Sequence, residues 1–303
     1  KEVLDSIDVK MLGSLPKDPL LSLESRYLGL NPAHELIDLN KKLDYWAKVA
    51  EQHLDLESFQ GLLKAPSTHK KTTPINLLID KQEKKLKSNQ YPIAIAQDKA
   101  FHFRYPEVQE YLEAIGMPII YFKPLEDETI PNECKGLILP GGFPEQYAEQ
   151  ISNSTQALNS IKSFFGKHPI YAECGGMLIL GSSLTDLNGI KYPMAGILPF
   201  EADKGNLEVG YRQLKSLKDS LILKKDEELI GHEFHYWKLK IDQVNLKKHK
   251  LTCPWKVTRW NKQPIEEGWS GKNFHASWIH LHWPSSENIF NLWISAVLNN
   301  LDN

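Results

Sequence analysis

A doubly wound α/β fold on a mostly parallel sheet is predicted for residues 92–303, behind the tail of another α/β domain in residues 1–64, and three observations predict it. Short apolar runs of β-formers alternate with longer amphipathic stretches: "PIAIAQD", "YPEVQEYLEAIG", "PIIYFKPL", "GLILPGG", "PEQYAEQISNSTQALNSIKSFFGK" and "PIYAEC" follow one another. Such alternation is the pattern of parallel strands joined by crossover helices. Two of those apolar runs pass directly into glycine pairs, as expected where strands end beside a ligand. Finally, 303 residues that are 41% hydrophobic and 24% charged can bury one large core or two smaller ones.

Taken in order, the chain opens on a helix end that runs into a strand over residues 9–15. A proline-punctuated loop, "LPKDPLLSLESRYLGLNPAHE", follows. Two helices are then predicted in "ELIDLNKKLDYWAKVAEQH" and "DLESFQGLLK", where apolar residues recur at three-to-four spacing. Residues 65–91 are rich in Lys, Gln, Ser, Thr and Pro, the composition of an exposed linker. The alternating segment follows, and its strand "PIYAEC" hands over to "GGMLILGSS", which continues as a helix. Beyond it, "YPMAGILPFEA", "LEVGYRQLKSL", "LIGHEFHYWKLKI" and "NFHASWIHLHW" read as strands of a mixed extension, and "SENIFNLWISAVLNN" as a closing helix.

Charge and cysteine content remove several function classes. The balance of 36 basic against 38 acidic residues makes no field that would gather nucleic acid or anionic lipid. No apolar run is long enough for a membrane helix, and "KEVLDSIDVK" lacks the apolar core of a signal peptide, so a cytoplasmic protein is expected. Cys134, Cys174 and Cys253 are odd in number and far apart, which argues against a disulfide framework or a thiolate zinc site.

Each thiol is therefore judged by its surroundings, and Cys174 stands out. It falls at a strand-to-helix turn, where a side chain projects, glycines admit close backbone approach, and the next N–H faces an incipient oxyanion. A helix N-terminus there also favours thiolate. The competing reading is a small buried hydrophobe. In "LILPGGFPEQYAE", Gly141 and Gly142 end another apolar strand and can turn backbone amides toward a shared anion site, or form a plain turn. "HASWIHLHW" supplies His275, His280 and His282; strand alternation would place His280 and His282 on one face with Trp278. A catalytic cysteine needs a nearby histidine to take its proton, although buried structural histidines or a metal site remain alternatives.

Six ordered motifs, "LPGGFPE", "YAECGGMLILGSSL", "YPMAGILPF", "GYR", "GHEFHYW" and "SWIHLHW", closely resemble the C-terminal glutamine amidotransferase domain of the cobyrinate a,c-diamide synthase family. "LGSLPKDPLLSLESRYLGLNPAHE" and "DKAFHFRYPE" resemble the same family's sequence just before that domain. The resemblance implies a class I glutamine amidotransferase-like fold preceded by part of a P-loop-type synthetase domain. It implies Cys174 as nucleophile, His280 as base, and Gly142 and Gly175, beside Gly141, as the oxyanion turn. His232, Glu233 and His235 would border the glutamine pocket, with Glu233 a candidate to orient His280. The wider class I group carries that orienting Glu two residues after the histidine; here that position is His282, so a Cys–His dyad or a third member from elsewhere is expected. Trp278 and Trp283 flank His280 where relatives more often have Tyr and Phe.

The implied reaction is ATP-dependent amidation of the a and c carboxylates of cobyrinate or hydrogenobyrinate, with glutamine as ammonia source and the corrin ring as acceptor. The family's phosphate loop, G-x-x-x-x-G-K-[ST], does not occur in the sequence. The chain is accordingly expected to be a fragment of a longer enzyme that uses ATP and Mg2+ without binding them tightly itself. Asp18, Glu24, Arg26 and Tyr27 would line the acceptor or nucleotide site, or form a charged surface loop. A nickel tetrapyrrole acceptor, a non-catalytic regulatory module and an elbow-cysteine hydrolase stay open, as does a homodimer.

Overall fold

The computed structural model describes residues 2–23, 33, 36–65, 79, 91–242 and 251–299, and the chain falls into two units, residues 1–71 and 72–303. In the first, α1 (Glu2–Ser6), α2 (Leu39–His53) and α3 (Leu56–Leu62) are the helices described. Both helices read from apolar spacing form, and Asp55 caps α3 by accepting the Ser58 N–H at 2.9 Å. The strand expected over residues 9–15 does not form. Gly13 makes a single bridge to Leu54, and without a neighbouring strand the backbone groups of that stretch have no ladder to join. Asp18 caps a single 3-10 turn, Pro19–Leu21, and accepts the Tyr45 hydroxyl. Glu24, Arg26, Tyr27 and almost all of the predicted linker lie outside the described residues.

The second unit begins with β1 (Ile93–Ala96), β2 (Phe101–Phe103), α4 (Pro106–Ala114), β3 (Ile119–Phe122), β4 (Gly136–Leu139) and β5 (Gly141–Gly142). Helices α5 (Ala148–Asn153) and α6 (Thr155–Phe164), strand β6 (Ile170–Glu173) and the single turn α7 (Gly175–Leu178) follow. Then come β7 (Ser183–Thr185), β8 (Lys191–Pro193), β9 (Phe200–Ser216), β10 (Glu228–Ile241), β11 (Trp255–Arg259), β12 (Lys262–Glu267), β13 (Trp269–Gly271), β14 (Phe274–Ser277) and α8 (Glu287–Asn299).

The main sheet has the order β13-β14-β6-β4-β1-β3, parallel throughout except for the edge strand β13. All four residues of β1, β4, β6 and β14 are buried, which is why β1, β4 and the first three residues of β6 read as continuous runs of β-formers and not as alternating ones. The chain steps from β1 out to β3, then returns past β1 to β4, β6 and β14. This reversal makes the sheet doubly wound and opens a crevice at the carboxyl ends of its strands. β2 and β5 pair antiparallel as a two-stranded sheet of their own.

The expected mixed extension is a second sheet, β12-β11-β9-β7-β8 with β10 also on β9. One segment assigned to it belongs elsewhere: residues 274–277 join the main sheet beside β6, and the strand stops at Ser277. The stop has a local cause. Ser277 Oγ and the Trp278 N–H donate to the Glu267 carboxylate at 2.6 and 2.9 Å, and the Ile279 N–H donates to Ser277 Oγ at 2.9 Å. Groups that would extend the ladder are thereby engaged. Among the described residues no helix is long and apolar enough to cross a membrane.

Candidate active site

Cys174 follows the last residue of β6 and caps α7 with φ +44° and ψ −109°. A non-glycine residue in such a conformation costs on the order of 1–3 kcal/mol and persists only where its surroundings hold it. Here the Cys174 N–H donates to the Ser277 carbonyl of β14 at 2.7 Å, and the Cys174 carbonyl accepts the Met177 N–H at 3.0 Å. The sulfur is 3.9 Å from the Phe234 carbonyl of β10. The expected strand-to-helix elbow is present, with a helix of one turn.

The glycines serve close approach. A Cβ on Gly175 would sit 2.8 Å from the Gly142 carbonyl oxygen and 3.0 Å from the Gly142 nitrogen, so the two peptide units predicted as oxyanion donors lie against each other. A Cβ on Gly141 would sit 2.5 Å from Cε1 of His280. The imidazole therefore rests on the β4 turn, and any side chain at Gly141 would displace it.

His280 arrives from the segment after β14 and is 4% exposed. Its backbone is pinned to β10: the His280 N–H donates to His232 O at 2.8 Å, and the His232 N–H donates back to His280 O at 3.0 Å. The Phe103 ring meets the imidazole edge-on at 5.1 Å. Burial opposes the imidazolium, but hydrogen bonding to Cys174, the Cys174 charge and then the Glu173 carboxylate outweigh it and push His280 up to about 10.

Glu173 is the residue that sequence reasoning missed. Its Oε2 lies 3.3 Å from His280 Nδ1, while Oε1 accepts the Leu281 N–H at 2.9 Å and the Tyr171 hydroxyl. Burial, then the adjacent Glu173 charge, raise the Tyr171 phenol well above its ordinary range, so it remains a donor. The signal was an ionisable side chain closing the apolar, doubly buried run "PIYAEC", where such a group requires partners.

The other predicted residues separate. His282 Nδ1 pairs with Ser285 Oγ at 2.9 Å and its ring meets Tyr105. His275 is fully buried, stacked on Tyr171, with neither ring nitrogen hydrogen-bonded, and burial takes it down to about 3. Since the strand ends at Ser277, alternation does not carry through to His280 and His282.

On β10, alternation does operate. His232 adjoins His280, with rings 6.4 Å apart, whereas Glu233 and His235 face the other side of the strand. There Glu233 binds Arg212 Nε and, at 3.0 Å, His235 Nε2. Despite burial, His235 and Arg212 hold its carboxyl below the usual range. His235 stacks on Trp278 at 3.7 Å, and both line a separate cavity of about 510 Å3. Glu233 is thus not the residue that meets His280. Trp283 packs into the core against Tyr171 and Trp293. Among the described residues no cluster of three or more His, Cys, Asp and Glu is arranged to hold a metal ion.

A buried thiol at a strand-to-helix turn, a buried imidazole, a carboxylate and two abutting glycine turns are the parts needed for acyl transfer from an amide or ester to sulfur. Residues 92–288 match the family model of the CobB/CobQ-like glutamine amidotransferase domain. Cobyrinate a,c-diamide synthase of Caldanaerobacter subterraneus subsp. tengcongensis is 36% identical over 286 residues, covering 93% of this chain and 60% of that protein. Its counterpart in Methanobrevibacter smithii is 34% identical over 304 residues, covering 98% and 63%. Hydrogenobyrinate a,c-diamide synthase of Brucella anthropi is 35% identical over 236 residues, covering 77% and 52%. The chain spans about 60% of the length of the first of these relatives.

Proposed function

Because the chain belongs to the CobB/CobQ-like glutamine amidotransferase family, we propose that residues 92–303 hydrolyse glutamine and deliver the ammonia to a partner reaction. The observation that supports this most directly is the left-handed elbow of Cys174 at the end of β6, with the Gly175 and Gly142 peptides abutting beside it and the His280 imidazole resting on Gly141. The Cys174 sulfur attacks the side-chain amide carbon while His280 takes the thiol proton. The tetrahedral oxyanion sits at the Gly142 and Gly175 N–H groups, a contribution of about 3–4 kcal/mol per donor in enzymes where one has been removed. His280 returns the proton to the leaving nitrogen, releasing ammonia and a glutamyl thioester, and water attacks the thioester to give glutamate and the free thiol.

In the full-length protein, the ammonia would amidate the a and c carboxylates of cobyrinate or hydrogenobyrinate, the substrates in the names of the relatives. ATP and Mg2+ would activate those carboxylates. The G-x-x-x-x-G-K-[ST] pattern does not occur in this chain's sequence, and no residue of it is assigned to ATP or Mg2+.

Cys174→Ala in the full-length protein tests the reading. Glutamine-dependent amidation should fall at least about 10³-fold, the scale on which a lost nucleophile acts, while amidation with high ammonium persists. Equal loss with both nitrogen donors would refute it. Mass spectrometry of cobyrinate, hydrogenobyrinate and a nickel tetrapyrrole offered in parallel identifies the acceptor by which carboxylates become amides.

A further inference from the structure

The site contains a group that the expected residue pattern does not supply. We propose that Glu173 positions His280, and that Tyr171 and the Leu281 amide hold Glu173, so that the nucleophile and the carboxylate orienting its base are consecutive residues at the end of β6. This rests on the glutaminase reading above for the identity of the substrate, and on geometry alone for the arrangement.

Both carboxylate oxygens are engaged. Oε2 faces His280 Nδ1 at 3.3 Å, and Oε1 accepts the Leu281 N–H at 2.9 Å and the Tyr171 hydroxyl. The Leu281 contact matters because it ties the carboxylate to the backbone of the residue next to the imidazole it faces. Tyr171 reaches Glu173 because residues two apart in a strand share a face. Strict alternation would send residue 174 to the opposite face; the positive φ of Cys174 ends the strand there, so sulfur and carboxylate both serve one imidazole. With Nδ1 held by Glu173, Nε2 remains to exchange the proton with sulfur.

Other orienters are accounted for. Glu233 faces across β10 toward Arg212 and His235, and His282 is bonded to Ser285. Among the described residues Glu173 is the carboxylate within 4 Å of His280. The titratable groups facing the imidazole are Cys174 and Glu173, with His232 across the β10 bridge; Tyr171 and Tyr105 face Glu173.

The experiment uses the 303-residue chain and Glu173→Gln, which retains the size of the side chain and an acceptor for Leu281. Turnover of glutamine should fall roughly 10²- to 10⁴-fold with little change in KM, as when a triad carboxylate is neutralised. A second readout does not involve glutamine: the pH dependence of Cys174 alkylation by iodoacetamide, with Cys174→Ala giving the background from the other thiols. Loss of the carboxylate makes the imidazolium less favourable, so the upper limb of that profile should move to lower pH. Tyr171→Phe, which removes one support of Glu173, should shift it the same way by less, and decides the matter if Glu173→Gln does not fold. An unshifted profile in both variants, whatever happens to melting temperature, would reduce Glu173 to a structural role and overturn the proposal. Absence of glutamate release from wild-type chain, with the alkylation profile shifting as stated, would instead refute the glutaminase reading and leave the positioning role standing.

Discussion

His280 and His282 show how far two neighbouring imidazoles can differ. One is buried between Glu173, Gly141 and Phe103; the other pairs with Ser285 beside Tyr105. General-base assistance is worth about 10²- to 10⁴-fold, so His280→Ala should lower glutamine turnover by that range, while His282→Ala should cost less than about tenfold. Parallel turnover assays, with circular dichroism as the folding control, check this; a larger loss from His282→Ala would reassign the base. Cys174, Gly142, Gly175 and His280 are singled out by the resemblance to the cobyrinate a,c-diamide synthase family; the residues alone leave a structural thiol, a plain glycine turn and a choice among three histidines open. For Glu173 the sequence offers only the general signal of a carboxylate closing an apolar run and not its partner, since the contact with His280 exists only once β6 and the segment after β14 lie side by side. Glu233 was weighed on residue type alone, and strand parity decides against it: residues 232 and 233 cannot face the same imidazole.

At the scale of elements, the turn after β14 delivers His280, and a single half-buried carboxylate from β12, that of Glu267, shapes it. Glu267 accepts from Ser277 Oγ, the Trp278 N–H and, at 3.0 Å, Trp255 Nε1. Burial raises its carboxyl, with those three bonds pulling the other way. A carboxyl raised in the folded state adds stability below its unfolded value and loses it as pH climbs through the folded one, so this group's contribution declines as pH rises from the ordinary carboxylate range. Glu267→Ala leaves three donors without an acceptor. At about 1–3 kcal/mol for each buried unsatisfied group, urea unfolding should show a loss of several kcal/mol, and glutamine turnover should fall because His280 follows the turn closely. A loss of under about 1 kcal/mol would show that the turn is held by other contacts. Most elements were legible from periodicity: the apolar runs of β1, β4 and β6 and the closing helix α8 all form. What periodicity could not supply was where β14 stops, which depends on Glu267, or whether residues 9–15 find a strand to pair with.

For the molecule as a whole, burial is unevenly shared between the two units. In residues 1–71, Val49 is the one buried side chain among those described, while Leu20, Leu23, Phe59, Leu62 and Leu63 are exposed. In residues 72–303, two apolar clusters fill both faces of the main sheet, and Trp237, Trp255, Trp269, Trp278, Trp283 and Trp293 are all buried there. Ordering a residue costs about 1–2 kcal/mol of backbone entropy, which the single buried side chain among the described residues of this unit does not offset. Residues 72–303 expressed alone should therefore keep the main melting transition and the near-ultraviolet tryptophan signal of the whole chain, and hydrolyse glutamine at its rate. Limited proteolysis of the whole chain should clear the first unit early. Binding of a hydrophobic dye should drop when residues 1–71 are removed, because they carry these exposed apolar side chains. A protease-resistant first unit that melts cooperatively by itself would mean that its stability comes from contacts other than the burial seen here.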